Sequence, residues 1–169
     1  RTNAENSQAT SFGVNKGVTV LGDSVALRSK DQLESSIDNV AIDAVVSRNL
    51  STINDLLKDY ADSNALAKDV VIAGGVNEMD DYKGVINKII KNLPKGHHII
   101  FVTPYNGSKS GNEAQSLLQL RKYELEMAEK YDFVTVADWY QVAKENISIW
   151  NGTDGVHFGS DSDSINRGA

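Results

Sequence analysis

The sequence predicts an α/β fold, a three-layer α/β/α sandwich around a five-stranded parallel sheet. Two patterns carry that prediction. Short, continuous β-branched runs recur five times, as suits strands buried on both faces. Amphipathic segments of helical period stand between them, and strand–helix alternation within one domain's length is the signature of an open sheet with right-handed crossovers. At 169 residues the chain is long enough for a real core and short enough for one domain.

Taken in order, Arg1 to Lys16 is polar and reads as an arm or linker remnant, and residues 17–169 form the folded domain. The first strand is Val18-Thr19-Val20-Leu21, followed by a helix-compatible stretch from Val25 to Leu33. The second is Val40 to Val46, followed by Ile53, Leu56, Leu57 and Tyr60 at helical spacing. Asp69 to Ala73 is the third strand, and Val85, Ile86, Ile89, Ile90 and Leu93 line the next helix, which Pro94 and Gly96 stop. His98 to Thr103 is the fourth strand, and Leu117, Leu118, Leu120, Tyr123, Met127 and Ala128 follow it at helical spacing. Phe133 to Ala137 is the fifth. After Phe158, Gly159 to Ile165 reads as the cap and first turn of a final helix that stops at Ala169, which would leave apolar sheet surface exposed.

Composition narrows the function. With 17 Lys+Arg against 23 Asp+Glu the formal charge is −6, and no basic run occurs, which argues against nucleic acid or anionic lipid as partner. There is no cysteine, so disulfides, thiolate zinc sites and thiol catalysis are excluded. No apolar run reaches the ~18–20 residues of a membrane span. The chain opens on Arg1 rather than Met and is read as an excised domain or processed chain. Sequons at Asn49, Asn106, Asn146 and Asn151 carry no weight in an Asn-rich chain.

Open α/β sheets bind ligands beyond the carboxyl ends of their strands. There the sequence delivers Gly22-Asp23-Ser24, Val46-Ser47-Arg48, Gly74-Gly75-Val76-Asn77, Tyr105-Asn106 and Asp138-Trp139, with Asp154-Gly155-Val156-His157 near the end. Ser24 sits where a helix N-terminus favours a developing oxyanion, though a serine there also serves as a cap. Asp154 stands three residues before His157, a spacing that lets a carboxylate hold the imidazole Nδ1–H while Nε2 faces a nucleophile; a chance surface loop has the same letters. Asn77, beside two glycines, offers an amide to an oxyanion or simply makes a turn. Asp138 reads as a helix cap. Tyr105, Trp139, Tyr140 and Trp150 suit either a sugar-binding surface or packing. His97 and His98 lie at the opposite end of their strand and read as structural. One histidine with scattered carboxylates makes no metal site.

Together and in order, Gly22-Asp23-Ser24, Gly75-Val76-Asn77 and Asp154-Gly155-Val156-His157 resemble the nucleophile, oxyanion and acid–base blocks of the SGNH (GDSL-like) hydrolases, a flavodoxin-like sandwich fold. The resemblance spans about Val18 to Phe158. Asp23 to Arg28, Val46-Ser47-Arg48, Asn92 to Tyr105, Ala137-Asp138-Trp139 and Asp154 to Gly159 are most similar to one subgroup. It comprises the extracellular C-terminal domains of peptidoglycan O-acetyltransferase A of Gram-positive bacteria.

The resemblance implies a Ser24–His157–Asp154 triad. It also implies an oxyanion hole from the Ser24 amide, the Val46 or Ser47 amide and Asn77. The family's second block usually offers a glycine, and here Ser47 stands nearest that place. The implied reaction moves acetyl through an acetyl-serine to the 6-hydroxyl of N-acetylmuramic acid, with no metal or cofactor. The implied partners are a peptidoglycan strand as acceptor and an N-terminal membrane acyltransferase domain, absent from this sequence, that delivers acetyl and tethers the domain at the extracellular membrane face. The nearest rival is a carbohydrate O-acetyl esterase with the same triad. A non-catalytic wall-binding module is disfavoured by intact Ser24, Asn77, Asp154 and His157. A nucleotide-binding protein is disfavoured by the absence of Gly-x-Gly-x-x-Gly or P-loop patterns.

Overall fold

Hydrogen bonding joins five short strands into one parallel sheet in the computed structural model, which describes residues 16–77 and 81–157. The strands are β1 Val18–Gly22, β2 Val40–Ala44, β3 Asp69–Ala73, β4 His98–Val102 and β5 Val134–Ala137, in the spatial order β2-β1-β3-β4-β5. The chain leaves β1 to one side to make β2, then returns to build β3 on the other. The order therefore reverses at β1, and a crevice opens beyond its carboxyl end. In register, Gly22 pairs with both Ala44 and Ala73, so the loops after β1, β2 and β3 leave the sheet at one level.

Alternation gives the sheet two faces of different character. On one, Leu21, Ile72, Ile99 and Phe101 are fully buried against α3 (Leu50–Asp62), α4 (Tyr82–Asn92) and α5 (Gly111–Lys130). Leu50, Ile53 and Leu57 of α3 and Ile86 and Ile89 of α4 supply the helical half of this core, each burial contributing ~1.5–3 kcal/mol. The other face meets α1 (Ser24–Arg28) and α2 (Lys30–Ser36). Here Val71, Ile100 and Val102 are only half-buried. An apolar crevice of about 100 Å³ remains between Val20, Val71, Leu33 and Trp139, at the start of α6 (Trp139–Glu145). A 3₁₀ turn, Ile147–Trp150, leads into the final loop.

Three local expectations need correction. Strand β2 ends at Ala44 rather than Val46, because β1 offers no partner beyond Gly22; Val45 and Val46 are 50% and 62% exposed. As the two edge strands, β2 and β5 are not buried on both faces. The Val25–Leu33 helix is broken at Ser29, whose hydroxyl bonds back to the Val25 carbonyl at 3.3 Å and competes with the helical ladder. Helix α5 contains the whole expected apolar series from Leu117 to Ala128 and extends it back to Gly111 through polar first turns. The polar arm, apart from Lys16, and the expected C-terminal helix turn lie outside the described residues.

Candidate active site

The turn after β1 divides labour between two side chains. Asp23 takes the N-cap position of α1, its Oδ1 accepting the Val25 amide at 3.0 Å, and its own amide donates to Ala73 O on β3 at 3.1 Å. Ser24 is therefore the first helical residue and not the cap, which leaves its hydroxyl free for other work. Its amide occupies a place without an intrahelical acceptor. Asp23 is 1% exposed, and among the described residues its Oδ2 has no hydrogen-bond partner. Burial pushes its carboxyl up to about 6, against the lowering influence of the Val25 amide and of His157.

His157 reaches Ser24 across 133 positions of sequence, its Nε2 lying 2.8 Å from the serine Oγ. Asp154 holds the ring from behind: Oδ2 stands 2.7 Å from Nδ1, while Oδ1 accepts the amides of Val156 and His157 at 2.9 and 2.8 Å. A carboxylate only accepts, so Nδ1 carries the proton and Nε2 presents a lone pair to the serine hydroxyl. Partial burial works against ionisation of Asp154. The His157 amide, the His157 ring and the Val156 amide outweigh it and hold the carboxyl at about 2. Gly155 makes the loop possible. Its φ is +80°, its carbonyl accepts the Gly107 amide at 2.8 Å, and an added Cβ would stand 2.8 Å from the Ser108 nitrogen.

The third group gathers at the ends of β2 and β3. Asn77 donates from Nδ2 to the main-chain oxygen of Arg48 at 2.8 Å, so the amide expected at an oxyanion is anchored on the β2 loop. In that loop Ser47 has φ +62°, the left-handed region in which glycine is most at ease. Arg48 then turns inward. Its Nη1 lies 2.8 Å from Asp43 O, 2.9 Å from Asp43 Oδ1 and 3.3 Å from Gly22 O, and Tyr60 donates its hydroxyl to Asp43 Oδ2 at 3.0 Å. Sequence reasoning assigned no role to Arg48, Asp43 or Tyr60. Asp43 is one polar letter in a strand run, and its partners appear only when α3 packs on the sheet.

The solved C-terminal catalytic domain of peptidoglycan O-acetyltransferase A from Streptococcus pneumoniae, in a structure carrying a methylsulfonyl adduct, superimposes on this chain with a TM-score of 0.87. The two are 45% identical over 92% of this chain and 87% of that one. The chain belongs to this O-acetyltransferase catalytic-domain family. A second relative, YrhL of Bacillus subtilis (strain 168), described as a candidate peptidoglycan O-acetyltransferase, is 29% identical over 142 residues. That match takes in 84% of this chain but only 21% of YrhL, so the chain spans about a fifth of that curated relative. A G-D-S-L lipolytic protein from Veillonella parvula shares the fold, at TM-score 0.68 and 14% identity over 89% of this chain and 93% of its own. No protein-family model matches the chain.

Within this O-acetyltransferase domain, a cleft of about 400 Å³ runs from Gly75 and Asn77 to the start of α5, bordered by Tyr82, Lys109, Asn112 and Ser116. These lining groups escaped the sequence reading, because polar turns without apolar period give no signal. The four aromatics singled out from the sequence pack on one another. Tyr105 lies 5.6 Å from Tyr140 and 5.0 Å from Trp150, and Trp139 lies 6.2 Å from Trp150, between ring centroids. Trp150 O accepts the Thr153 amide at 3.1 Å and the Thr153 hydroxyl at 2.8 Å, which ties this cluster to the residue before Asp154. Asp138 stands at the head of α6, but its carboxylate is gripped by Arg121 at 2.9 and 2.6 Å and accepts Thr103 Oγ1 at 2.9 Å. The Arg121 hydrogen bonds hold the Asp138 carboxyl below its ordinary value. His97 is buried at the opposite end of the sheet, its Nδ1 2.6 Å from Ala67 O, as a structural residue should be. Among the described residues no helix is long and apolar enough to cross a membrane.

Proposed function

We propose that the domain transfers acetyl groups, through an acetyl-serine at Ser24, to the 6-hydroxyl of N-acetylmuramic acid in peptidoglycan. The observation that carries this reading is the hydrogen-bonded line Ser24 Oγ–His157 Nε2, 2.8 Å, and His157 Nδ1–Asp154 Oδ2, 2.7 Å. Kinship with the Streptococcus pneumoniae domain supports the choice of acceptor.

In the first half-reaction His157 Nε2 takes the Ser24 proton as Oγ attacks the acetyl carbonyl, and Asp154 stabilises the resulting imidazolium. The Ser24 amide, the Val46 or Ser47 amide and the second N–H of Asn77 Nδ2 receive the tetrahedral oxyanion. Collapse breaks the bond to the donor oxygen, which leaves with the proton from His157. In the second half the muramoyl 6-hydroxyl gives its proton to His157 and attacks the acetyl-serine, and collapse returns Ser24 as the hydroxyl. The 400 Å³ cleft beside Asn77 suits the acceptor sugar. In the full-length protein a membrane acyltransferase domain presents the acetyl donor at the extracellular face.

One feature supports the rival esterase reading. The Asp154 side chain is 58% exposed and that of His157 26%, so water reaches the acid–base pair and competes for the acyl-enzyme. The deciding experiment supplies an activated acetyl ester and a muramic-acid-containing oligosaccharide and follows products by mass spectrometry, wild type beside Ser24→Ala. Ser24-dependent acetylated sugar is expected. Free acetate with unmodified sugar would establish an esterase, and turnover by Ser24→Ala would remove the acyl-serine altogether.

A further inference from the structure

We infer that Arg48 is a positioning residue for Asn77 in the oxyanion site, fixing the main-chain oxygen that holds its amide; the inference rests on the acyl-serine reading above. The ends of β2 and β1 and the loop after β3 converge here, and Arg48 bonds to all three. Its side chain, 10% exposed, spans inward to Gly22 O, two residues before Ser24, and to both the main chain and the carboxylate of Asp43. Its main-chain oxygen receives Asn77 Nδ2. The Asp43 carboxylate is itself fixed on its far oxygen by Tyr60 from α3.

The consequence is chemical as well as mechanical. A primary amide has two N–H groups in one plane, so engaging one on Arg48 O sets the direction of the other. That orientation is only as good as the orientation of the Arg48 carbonyl. The carbonyl belongs to a turn closed by one long backbone bond, Arg48 N to Val45 O at 3.4 Å, tied to β1 by Val45 N to Gly22 O at 3.3 Å, and containing Ser47 at φ +62°. Such a turn persists when its surroundings over-determine it. The guanidinium supplies that determination: Nη1 faces all three acceptors, and its two N–H groups are fixed in the guanidinium plane, a direction that a freely rotating lysine ammonium reproduces only in part. An oxyanion donor must stand ready before charge develops, so loss of this brace is expected to weaken turnover rather than ground-state binding.

The test uses a small activated acetyl ester, so that transfer and hydrolysis both report on the acyl-serine step. Arg48→Ala is expected to lower kcat by ~10–10²-fold with KM changed less than about twofold, and Asn77→Ala by ~10²–10³-fold. The double variant is expected to fall no more than about threefold below Asn77→Ala, since Arg48 acts on a group already removed. Arg48→Lys should recover part of the loss. Tyr60→Phe, which removes one hydrogen bond and no volume, should show a smaller kcat loss that vanishes in the Asn77→Ala background. If Arg48→Ala melts at the assay temperature, the Lys and Phe cycles decide the matter on their own. Losses that multiply in the double variants, or that fall on KM, would overturn the inference while leaving Ser24 chemistry intact. Turnover retained by Ser24→Ala would overturn the acyl-serine reading and this inference with it.

Discussion

Asp23 does two jobs that conflict. As a cap it frees Ser24, and as a buried carboxyl with one unpartnered oxygen it resists ionisation. In the unfolded chain it loses its proton near the ordinary value of 3.8, and in the folded domain near 6. Between those values the folded state holds a proton that the unfolded state has released, so stability falls as pH rises through the window, by up to ~3 kcal/mol from this group. Asp23→Asn keeps the Oδ1 acceptor and cannot ionise. Denaturant midpoints between pH 4 and pH 7 should drop markedly for wild type and less for the variant; parallel pH curves would show that burial does not strain this carboxyl. Asp154 has the opposite sign. Its carboxyl is held at about 2, so its contribution is present above the ordinary carboxylate value and is lost only as pH falls through about 2.

At the scale of the element, the loop bearing His157 is held by backbone fit. Gly155 packs against the 107–108 main chain and has a positive φ, whereas Gly152, φ +73°, has open space at its Cβ position. Gly155→Ala therefore adds a main-chain clash to backbone strain, and Gly152→Ala adds strain alone. A displacement of ~1 Å in a catalytic group costs about 10²-fold in rate. Gly155→Ala is expected to lose on that order in kcat and Gly152→Ala far less, both measured with the small ester. Equal losses would mean that flexibility, not the packing against Gly107 and Ser108, matters at this loop. The contrast also shows how far local sequence carries. The pairing of Asp154 with His157 was legible because they stand three positions apart and the Asx geometry is local. The joint between Gly155 and Gly107 was not, because nothing in either loop announces the other.

For the whole molecule, the two sheet faces are unequally buried. Phe101 is fully buried between β4's neighbours and the α3–α5 layer, while Val142 on α6 is 49% exposed. Phe101→Ala should cost ~3–5 kcal/mol, and Val142→Ala under about 0.5 kcal/mol, in chemical denaturation. Comparable losses would mean that the α6 side is as tightly packed as the other. The core was readable because apolar period and β-branching report burial directly: Leu21, Ile72, Ile86, Ile89 and Ile99 all stand where the pattern put them. The edge of the sheet was not. Val45 and Val46 have strand-like letters, and only the length of β1 decides that they leave the sheet.

Local sequence, then, was enough for the alternation of elements, the parallel sheet, the main core and the order of the three chemical blocks. Each of these rests on periodicity or short-range spacing, which is written along the chain. Which donors meet was settled only in three dimensions. Ser24 and His157 are brought to 2.8 Å by the sheet and its loops, Arg48 joins the ends of β1, β2 and β3, and Asp138 is claimed by Arg121 rather than left as a simple cap. Those contacts pair groups that are far apart in the chain or on different elements. A polar side chain carries no mark of its partner until the packing of the apolar faces has set the distance between them.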